Sequence, residues 1–237
     1  MQITANGIRT AYAIDGPAGA PWVTFATGIA NDLAMWDGQA AALAGRYRVL
    51  RYDFRGQGGS EATGGDYSIE LLAADLVALW DALGVRRSHL VGLGLGGGLV
   101  QAVAGDLADR VDALVACCCR AKMVPDFAQM WHGLREAVRS GGVEAIVETT
   151  AQRWFSEAFK AAHPDVLDGV RAMIRRTSTA GYLGCSGAFL AMDVEDRLPK
   201  IRARTLYLSG AEDRMGGPPA LMAGLAARVA GARHASV

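Results

Sequence analysis

Two hydrophobic patterns alternate along the first half of the chain. Runs that are apolar throughout, such as WVTFAT and HLVGL, are separated by stretches such as SIELLAADLVALWDALG, in which apolar residues recur every three or four positions. The first pattern predicts strands buried on both faces, and the second predicts helices. Their alternation predicts an α/β fold with a mostly parallel sheet and helices on both of its faces.

The chain is expected to open with a hairpin. The segments MQITA and IRTAYAI have the alternation of strands, and the turn Asn6-Gly7 joins them, a pair favoured in two-residue hairpin loops. This start lacks the basic flank and apolar run of a secretory signal peptide. No apolar run in the sequence reaches the length needed to span a membrane, so we expect no membrane partner.

The alternation lapses after Arg120 and resumes at Arg204. We therefore predict a core α/β domain in residues 1–120, a helical cap in residues 121–200 and the last part of the core in residues 201–237. The large aromatic residues of the insertion fit either an apolar lid over a pocket or the insertion's own core. These residues are Trp131, Trp154, Phe155 and Tyr182.

Composition excludes some partners. The 24 Lys and Arg residues balance 24 Asp and Glu residues, so no net field attracts nucleic acid, and a small, fairly neutral ligand fits better. Three of the four cysteines are consecutive, at positions 117–119. Because neighbours on a strand point to opposite faces, we expect buried core residues rather than disulfides or a metal site. A reduced, cytoplasmic protein is the simplest interpretation.

The stretch HLVGLGLGGGLVQ runs from a strand through a glycine cluster into a helix. The nucleophile elbow pattern G-x-S-x-G reads here Gly92-Leu93-Gly94-Leu95-Gly96. A dinucleotide fingerprint is the alternative, but the stretch lies in mid-chain behind several strands and lacks the spaced acidic residue. We therefore interpret it as an elbow with glycine at the nucleophile position and expect no cofactor.

Together with this stretch, four further segments resemble the α/β-hydrolase superfamily, and within it the 3-oxoadipate enol-lactonases and small carboxylesterases. The resemblance covers nearly the whole chain and implies the α/β-hydrolase fold with a helical cap insertion. The four segments are ATGIANDLAMW, RYDFRGQGGS, ETTAQRWFSEAF and YLSGAEDRMGGPPALM.

The resemblance assigns roles to individual residues. Gly94 takes the position of the nucleophilic serine, where the strained elbow suits glycine but offers no hydroxyl. The backbone amides of Leu95 and Ile29 take the positions of the oxyanion hole. Asp213 matches the acid that orients the catalytic histidine, with Glu212 as the neighbouring candidate.

No histidine of the chain matches the family's base well. His234 is the nearest candidate, but in register it matches the beginning of the last strand. We therefore expect it to be a strand residue, the base to lie beyond Val237, and the carboxyl-terminal end of the fold to be truncated. Of the other histidines, only His132 could face the pocket.

The loop RGQGGS also departs from the family, which commonly has histidine at the position of Gln57. We expect this loop to be structural, with Asp53 and Arg55 acting as hydrogen-bonded supports.

Three functions follow as hypotheses. The first is a hydrolase of carboxylic esters or enol-lactones whose missing serine leaves it inactive or able to trap substrate. The alternative is a non-catalytic protein that binds small molecules with the same pocket. A weaker third is serine-independent lyase or cofactor-free chemistry, which needs a base that is not evident. In each case the ligand is a small apolar ester, lactone or carboxylate, and no metal is expected.

Overall fold

The computed structural model describes residues 1–237, which form one eight-stranded sheet in the order β1-β2-β4-β3-β5-β6-β7-β8. Consecutive strands after β3 are separated by helices, as the alternating hydrophobic pattern predicts. The strands are β1 Gln2–Ala5, β2 Ile8–Asp15, β3 Trp22–Ala26, β4 Arg48–Tyr52, β5 Ser88–Leu93, β6 Val111–Cys117, β7 Arg204–Ser209 and β8 Arg233–Ser236.

The sheet is mostly parallel. The pairs β1–β2 and β2–β4 are antiparallel. The other five pairs, from β4–β3 to β7–β8, are parallel. Asn6 and Gly7 join β1 to β2 with φ angles of 47° and 76°, the left-handed pair that a tight hairpin requires. The predicted fold class and the opening hairpin are both confirmed.

Nine helices surround the sheet, and five of them, α4 to α8, follow one another between β6 and β7. We call residues 121–200 the helical insertion. The helices are α1 Asp37–Leu43, α2 Ile69–Ala82, α3 Leu95–Asp106, α4 Pro125–Gly141, α5 Glu144–Trp154, α6 Glu157–Ala162, α7 Pro164–Arg175, α8 Thr179–Ala191 and α9 Pro219–Ala226.

Both faces of the sheet are buried, as neighbouring residues of β4 show. Val49 and Leu50 are each fully buried, although adjacent strand residues point to opposite faces. Val49 packs in a small cluster with Phe25 and Trp36, whereas Leu50 belongs to the large cluster that includes Leu76. Apolar runs without alternation arise because both sides of these strands face helices.

Two helix boundaries differ from the predicted ones. The pattern of MWDGQAAALAG, residues 35–45, predicts a helix near Met35, but a short 3₁₀ helix, Leu33–Trp36, precedes α1. The pattern of PPALMAGLAARVAG, residues 218–231, predicts one helix over the whole segment, but α9 ends at Ala226, because the chain must turn back to place β8 beside β7. No helix of the protein combines the length and apolar character that a membrane span requires.

Candidate active site

Gly94 forms a sharp turn between β5 and α3. Its φ of 57° and ψ of −115° lie in a region that costs an L-residue with a Cβ atom about 1–3 kcal/mol. A Cβ atom placed on Gly94 would meet only Gly28 Cα, at 3.9 Å. Position 94 thus faces open space but presents no side-chain atom to it.

Gly96, two residues after Gly94, brings the turn against the end of β3. The Gly96 N–H donates to the Thr27 carbonyl at 3.0 Å, and a Cβ atom on Gly96 would lie 2.4 Å from that same oxygen. Real Cβ atoms do not approach so closely, so only glycine permits this contact. The contact holds the loop after β3 beside the start of α3.

The two predicted oxyanion residues are close in sequence to the two ends of this contact, Leu95 beside Gly96 and Ile29 two residues after Thr27. Leu95 is the first residue of α3 and is buried, and the first N–H groups of a helix have no partner within it. Ile29 lies in the loop after β3, is also buried, and its N–H donates to no group of the protein. The next residue, Ala30, has a φ of 62°, which turns the loop sharply after Ile29.

Gln57 ties that loop to the helical insertion. Its side chain is fully buried, and Oε1 accepts the Asn31 N–H at 3.2 Å while Nε2 donates to Cys185 Sγ at 3.3 Å. Cys185 belongs to α8. The residue that departs from the family's histidine therefore has a definite support role, which the sequence alone indicated only in general terms.

Asp53 also holds the loop after β3, through a hydrogen bond from Leu33. Its Oδ1 accepts the Leu33 N–H at 2.6 Å and its Oδ2 accepts the Gly59 N–H at 2.8 Å. Burial raises the pKa of Asp53 to about 6 against the opposing effect of these two hydrogen bonds. Arg55 donates through Nε and Nη2 to both carboxylate oxygens of Asp75. Both residues are thus hydrogen-bonded supports.

Asn31 is a polar residue of the site that sequence reasoning missed. Its exposed fraction is 4%, and its Oδ1 lies 2.6 Å from where a Cβ atom of Gly28 would stand. Since Gly28 Cα is also the only atom within 4 Å of a Cβ atom at position 94, Gly28 lies between the carboxamide oxygen and that position. The only sequence signal was its position two residues after Ile29.

Asp213 lies in the loop after β7 and is half-buried, whereas the neighbouring Glu212 is exposed. The Asp213 Oδ1 accepts the N–H groups of Met215 and Gly216 at 2.8 and 2.9 Å, and Oδ2 accepts the Gly217 N–H at 2.9 Å. Its carboxylate is thus held by its own loop and makes no hydrogen bond to a histidine.

His234 lies within β8, opposite Tyr207 of β7. Its Nε2 and the Ser209 Oγ are 2.9 Å apart, so its partner is a serine of the neighbouring strand and not Asp213. Beyond it, the Ala211 N–H donates to the Val237 carbonyl at 2.6 Å. The end of β8 therefore runs beside the loop that carries Asp213.

None of the other three histidines is hydrogen-bonded to Asp213, whose carboxylate is held by its own loop. His132 is exposed and lines a surface cleft of about 380 Å³ with Asp66 and Arg139. His163 is exposed and packs on Phe159. His89 is half-buried and contacts Tyr47 edge to face.

The aromatic residues of the helical insertion divide into two groups. Trp131 stacks on Tyr182 and contacts Phe189 edge to face, which forms an aromatic core inside the insertion. Trp154, in contrast, is 36% exposed. Met173 of α7 places its Sδ 4.0 Å from the Nδ2 of Asn31, which lies in the loop after β3. The insertion therefore reaches the candidate site through α7.

The consecutive cysteines are less uniformly buried than predicted. Cys119 is fully buried, but Cys117 and Cys118 are half-buried, and all are free thiols. Cys118 has a φ of 42°, because the chain leaves β6 at this point. Burial raises the pKa of the Cys118 thiol, and the nearby charge of Asp213 adds to the increase. No three His, Cys, Asp or Glu side chains are grouped so that they could hold a metal ion.

The chain is similar in sequence to known hydrolases. The family described as alpha/beta hydrolase fold matches residues 21–234. The chain is 31% identical to 3-oxoadipate enol-lactonase 2 of Acinetobacter baylyi over 89% of this chain and 78% of that protein.

Two solved structures are similar over the entire chain. The enol-lactonase of Burkholderia xenovorans LB400 superposes with a TM-score of 0.96 at 34% identity, and 91% of it is covered. A thermophilic esterase of Thermogutta terrifontis, described with malate bound, gives a TM-score of 0.90 at 28% identity, with 89% covered. The chain therefore belongs to the alpha/beta hydrolase family.

Proposed function

We propose that this protein is an ester- or enol-lactone-type hydrolase scaffold that binds its ligand without forming an acyl-enzyme. The observation that carries the proposal is Gly94, which has the backbone of a nucleophile elbow and open space in front of it, but no Oγ. Acyl transfer of the serine type requires an activated hydroxyl. Such a chain is inactive in that reaction and can retain an intact substrate.

The parent reaction defines what each remaining group does. A serine at position 94 would attack the carbonyl, a histidine would move the proton, and Asp213 would steady the imidazolium. The amides of Ile29 and Leu95 would stabilise the oxyanion. In this chain those amides can still polarise a bound carbonyl, because they belong to the backbone and do not depend on the residue at position 94.

The relatives support the ligand class. Enol-lactonases and an esterase are among the proteins to which the chain is similar over nearly its whole length. We extend their class of small ester and lactone ligands to this chain, with residues 121–200 acting as a cap over the site. A carboxylate is a further candidate, since one of these relatives is described with malate bound.

A non-catalytic binding function is the second candidate. It is favoured by the acid side of the site, where Asp213 accepts three N–H groups of its own loop and His234 is bonded to Ser209. The two groups are not bonded to each other. With a balanced charge and free thiols, we expect a small-molecule ligand rather than nucleic acid, and a cytoplasmic location.

The test compares the protein with its Gly94→Ser variant. With p-nitrophenyl acetate, we expect no acyl-enzyme burst from the unmodified protein. A fluorophosphonate, which labels activated serines, should modify the Gly94→Ser variant, and added imidazole should accelerate the labelling because it can act as the base. A Gly38→Ser variant, at an open position of α1, is the matched control and should not be labelled.

A stoichiometric burst from the unmodified protein would overturn the proposal. A folded Gly94→Ser variant that resists labelling even with imidazole would reject the hydrolase scaffold and favour the binding function.

A further inference from the structure

An ion pair joins the helical insertion to the loop after β3. Arg176, the residue after α7, donates through Nε at 2.6 Å and through Nη2 at 2.5 Å to Oδ2 of Asp32. The other oxygen of this carboxylate, Oδ1, accepts the Ala34 N–H at 3.1 Å. Asp32 lies three residues after Ile29, whose N–H is one of the two predicted oxyanion donors. The insertion is therefore bonded directly to the loop that carries this donor.

Without this contact, the loop would have two buried negative charges and no counter-charge. Asp32 is 5% exposed, and Asp53, which accepts the Leu33 N–H of the same loop, is 3% exposed. Asp53 has no ion-pair partner, and Asp32 has none except Arg176. In addition to burial, the charge of Asp32 raises the pKa of Asp53, and the charge of Arg176 opposes this increase. The two carboxylates thus repel each other, and Arg176 supplies the compensating charge.

Loss of Arg176 would leave Asp32 as a buried charge without a partner. Such a charge is strongly unfavourable, because it has given up its water and gained no counter-ion in return. The loop can relieve this by turning Asp32 toward solvent. Only Ala30 and Asn31 separate Asp32 from Ile29, so this movement would displace the Ile29 amide as well.

We propose that Arg176 is a positioning residue, which holds the Ile29 amide in its oxyanion position through the ion pair with Asp32. Arg176 acts through the loop and not by touching the ligand. This inference rests on the proposed function, because it assumes that a ligand oxygen binds at the Ile29 amide. Docking of the insertion and binding at the oxyanion side are thereby coupled.

The test measures the rate at which a fluorophosphonate labels Gly94→Ser in the presence of imidazole. The phosphonyl oxygen gains charge during this reaction, and loss of one oxyanion donor slows acyl transfer by about 100-fold or more. Adding Arg176→Gln displaces the donor without removing it and should slow labelling by about tenfold. Arg176→Lys, which keeps the positive charge, should restore the rate to within about threefold of Gly94→Ser alone.

Arg175→Gln in the same background is the matched control. Arg175 is the neighbouring residue, and its side chain is 49% exposed against 50% for Arg176. Its partner, however, is Glu144, which lies within the insertion. This variant should leave the labelling rate unchanged, so a general loosening of the insertion would be distinguished from the effect on the loop.

Asp32→Asn shows whether Arg176 acts through Asp32. This substitution removes the buried charge and keeps an oxygen that can accept the Ala34 N–H. In the Asp32→Asn background, adding Arg176→Gln should change the labelling rate no further, because the two residues act as one unit. If Arg176→Gln alone does not fold, this comparison still decides, since the double variant contains no uncompensated charge at position 32.

Two results would show that the inference is wrong while the proposed function stands. One is labelling of the Arg176→Gln variant as fast as that of the Arg175→Gln variant. The other is an equal effect of Arg176→Gln with Asp32 and with Asp32→Asn. If Gly94→Ser with Arg176 intact is not labelled at all, both the inference and the proposed function are rejected.

Discussion

The two sides of the candidate site are built from different parts of the chain. On the oxyanion side, the groups that would contact a ligand are the backbone N–H groups of Ile29 and Leu95, held by close packing of Gly96 against Thr27. On the acid side, the groups are side chains. There, Asp213 bonds to its own loop.

Under the proposed function, this difference would allow the site to lose acyl transfer and keep its binding geometry. A substitution at position 94 removes a side-chain atom, but it leaves every backbone donor in place as long as the turn itself is retained. The acid side has no such protection, because its function depends on which partner each side chain meets. We therefore expect the oxyanion side to remain rigid and competent for binding, and the acid side to contribute mainly to stability.

The largest expected effect comes from breaking the packing of the oxyanion side. In Gly96→Ala, the new Cβ atom would lie 2.4 Å from the Thr27 oxygen, so either α3 or the loop after β3 must shift. Overpacking of this kind should lower the free energy of unfolding by about 3 kcal/mol, measured by urea denaturation. Gly224→Ala in α9, where a Cβ atom meets nothing within 4 Å, is the control and should be neutral or stabilising. Equal stabilities of the two variants would contradict the close packing.

The pH dependence of Asp53 provides the second test of that side. Burial raises its pKa in the folded state to about 6, above the unfolded value of roughly 3.9. The stability that Asp53 contributes is therefore fully present below about pH 4 and is lost as the pH rises through about 6. Relative to Asp53→Asn, the protein should lose about 2–3 kcal/mol of unfolding free energy between about pH 4 and pH 7.

Asp53→Asn is the reference here because it keeps the shape of the side chain and cannot titrate. Urea denaturation of both proteins across this range gives the difference directly. A difference that stays constant with pH would show that Asp53 is not perturbed by burial.

On the acid side, Asp213→Ala should cost about 2 kcal/mol of unfolding free energy, because three loop N–H groups lose their acceptor. Asp213→Asn retains one carbonyl oxygen and should cost less. Urea denaturation of both variants and of the unmodified protein measures the difference. Equal unfolding free energies of all three proteins would show that the loop hydrogen bonds of Asp213 contribute no stability.

The smallest effect on the free energy of unfolding is expected at Gly94 itself. Gly94→Ala should lower the free energy of unfolding by about 1 kcal/mol, because a Cβ atom fits the space but not the positive φ. Gly38→Ala in α1, which has neither constraint, should be neutral or slightly stabilising. A higher thermal midpoint for Gly94→Ala than for the unmodified protein would show that the turn is not strained.

Residue patterns of the chain predicted the sheet, its opening hairpin and the start of α3 well. Apolar runs and the turn Asn6-Gly7 act through local geometry, so they can be read without knowing what packs on them. The predicted end of α9 failed because it was decided by β8 pairing beside β7, a contact between segments that no local pattern records. The turn at Gly94 was recognisable because its glycine spacing reflects steric needs that are local as well.

What the sequence determined by itself is the order of strands and helices and the absence of a hydroxyl at position 94, since both depend on residue type and spacing. Tertiary structure alone decided which polar groups meet. It placed Asn31 beside Gly28, bonded Gln57 to both Asn31 and Cys185, and paired His234 with Ser209. The physical reason is that a hydrogen bond acts over about 3 Å, and only the packed fold brings residues this distant in sequence within that range.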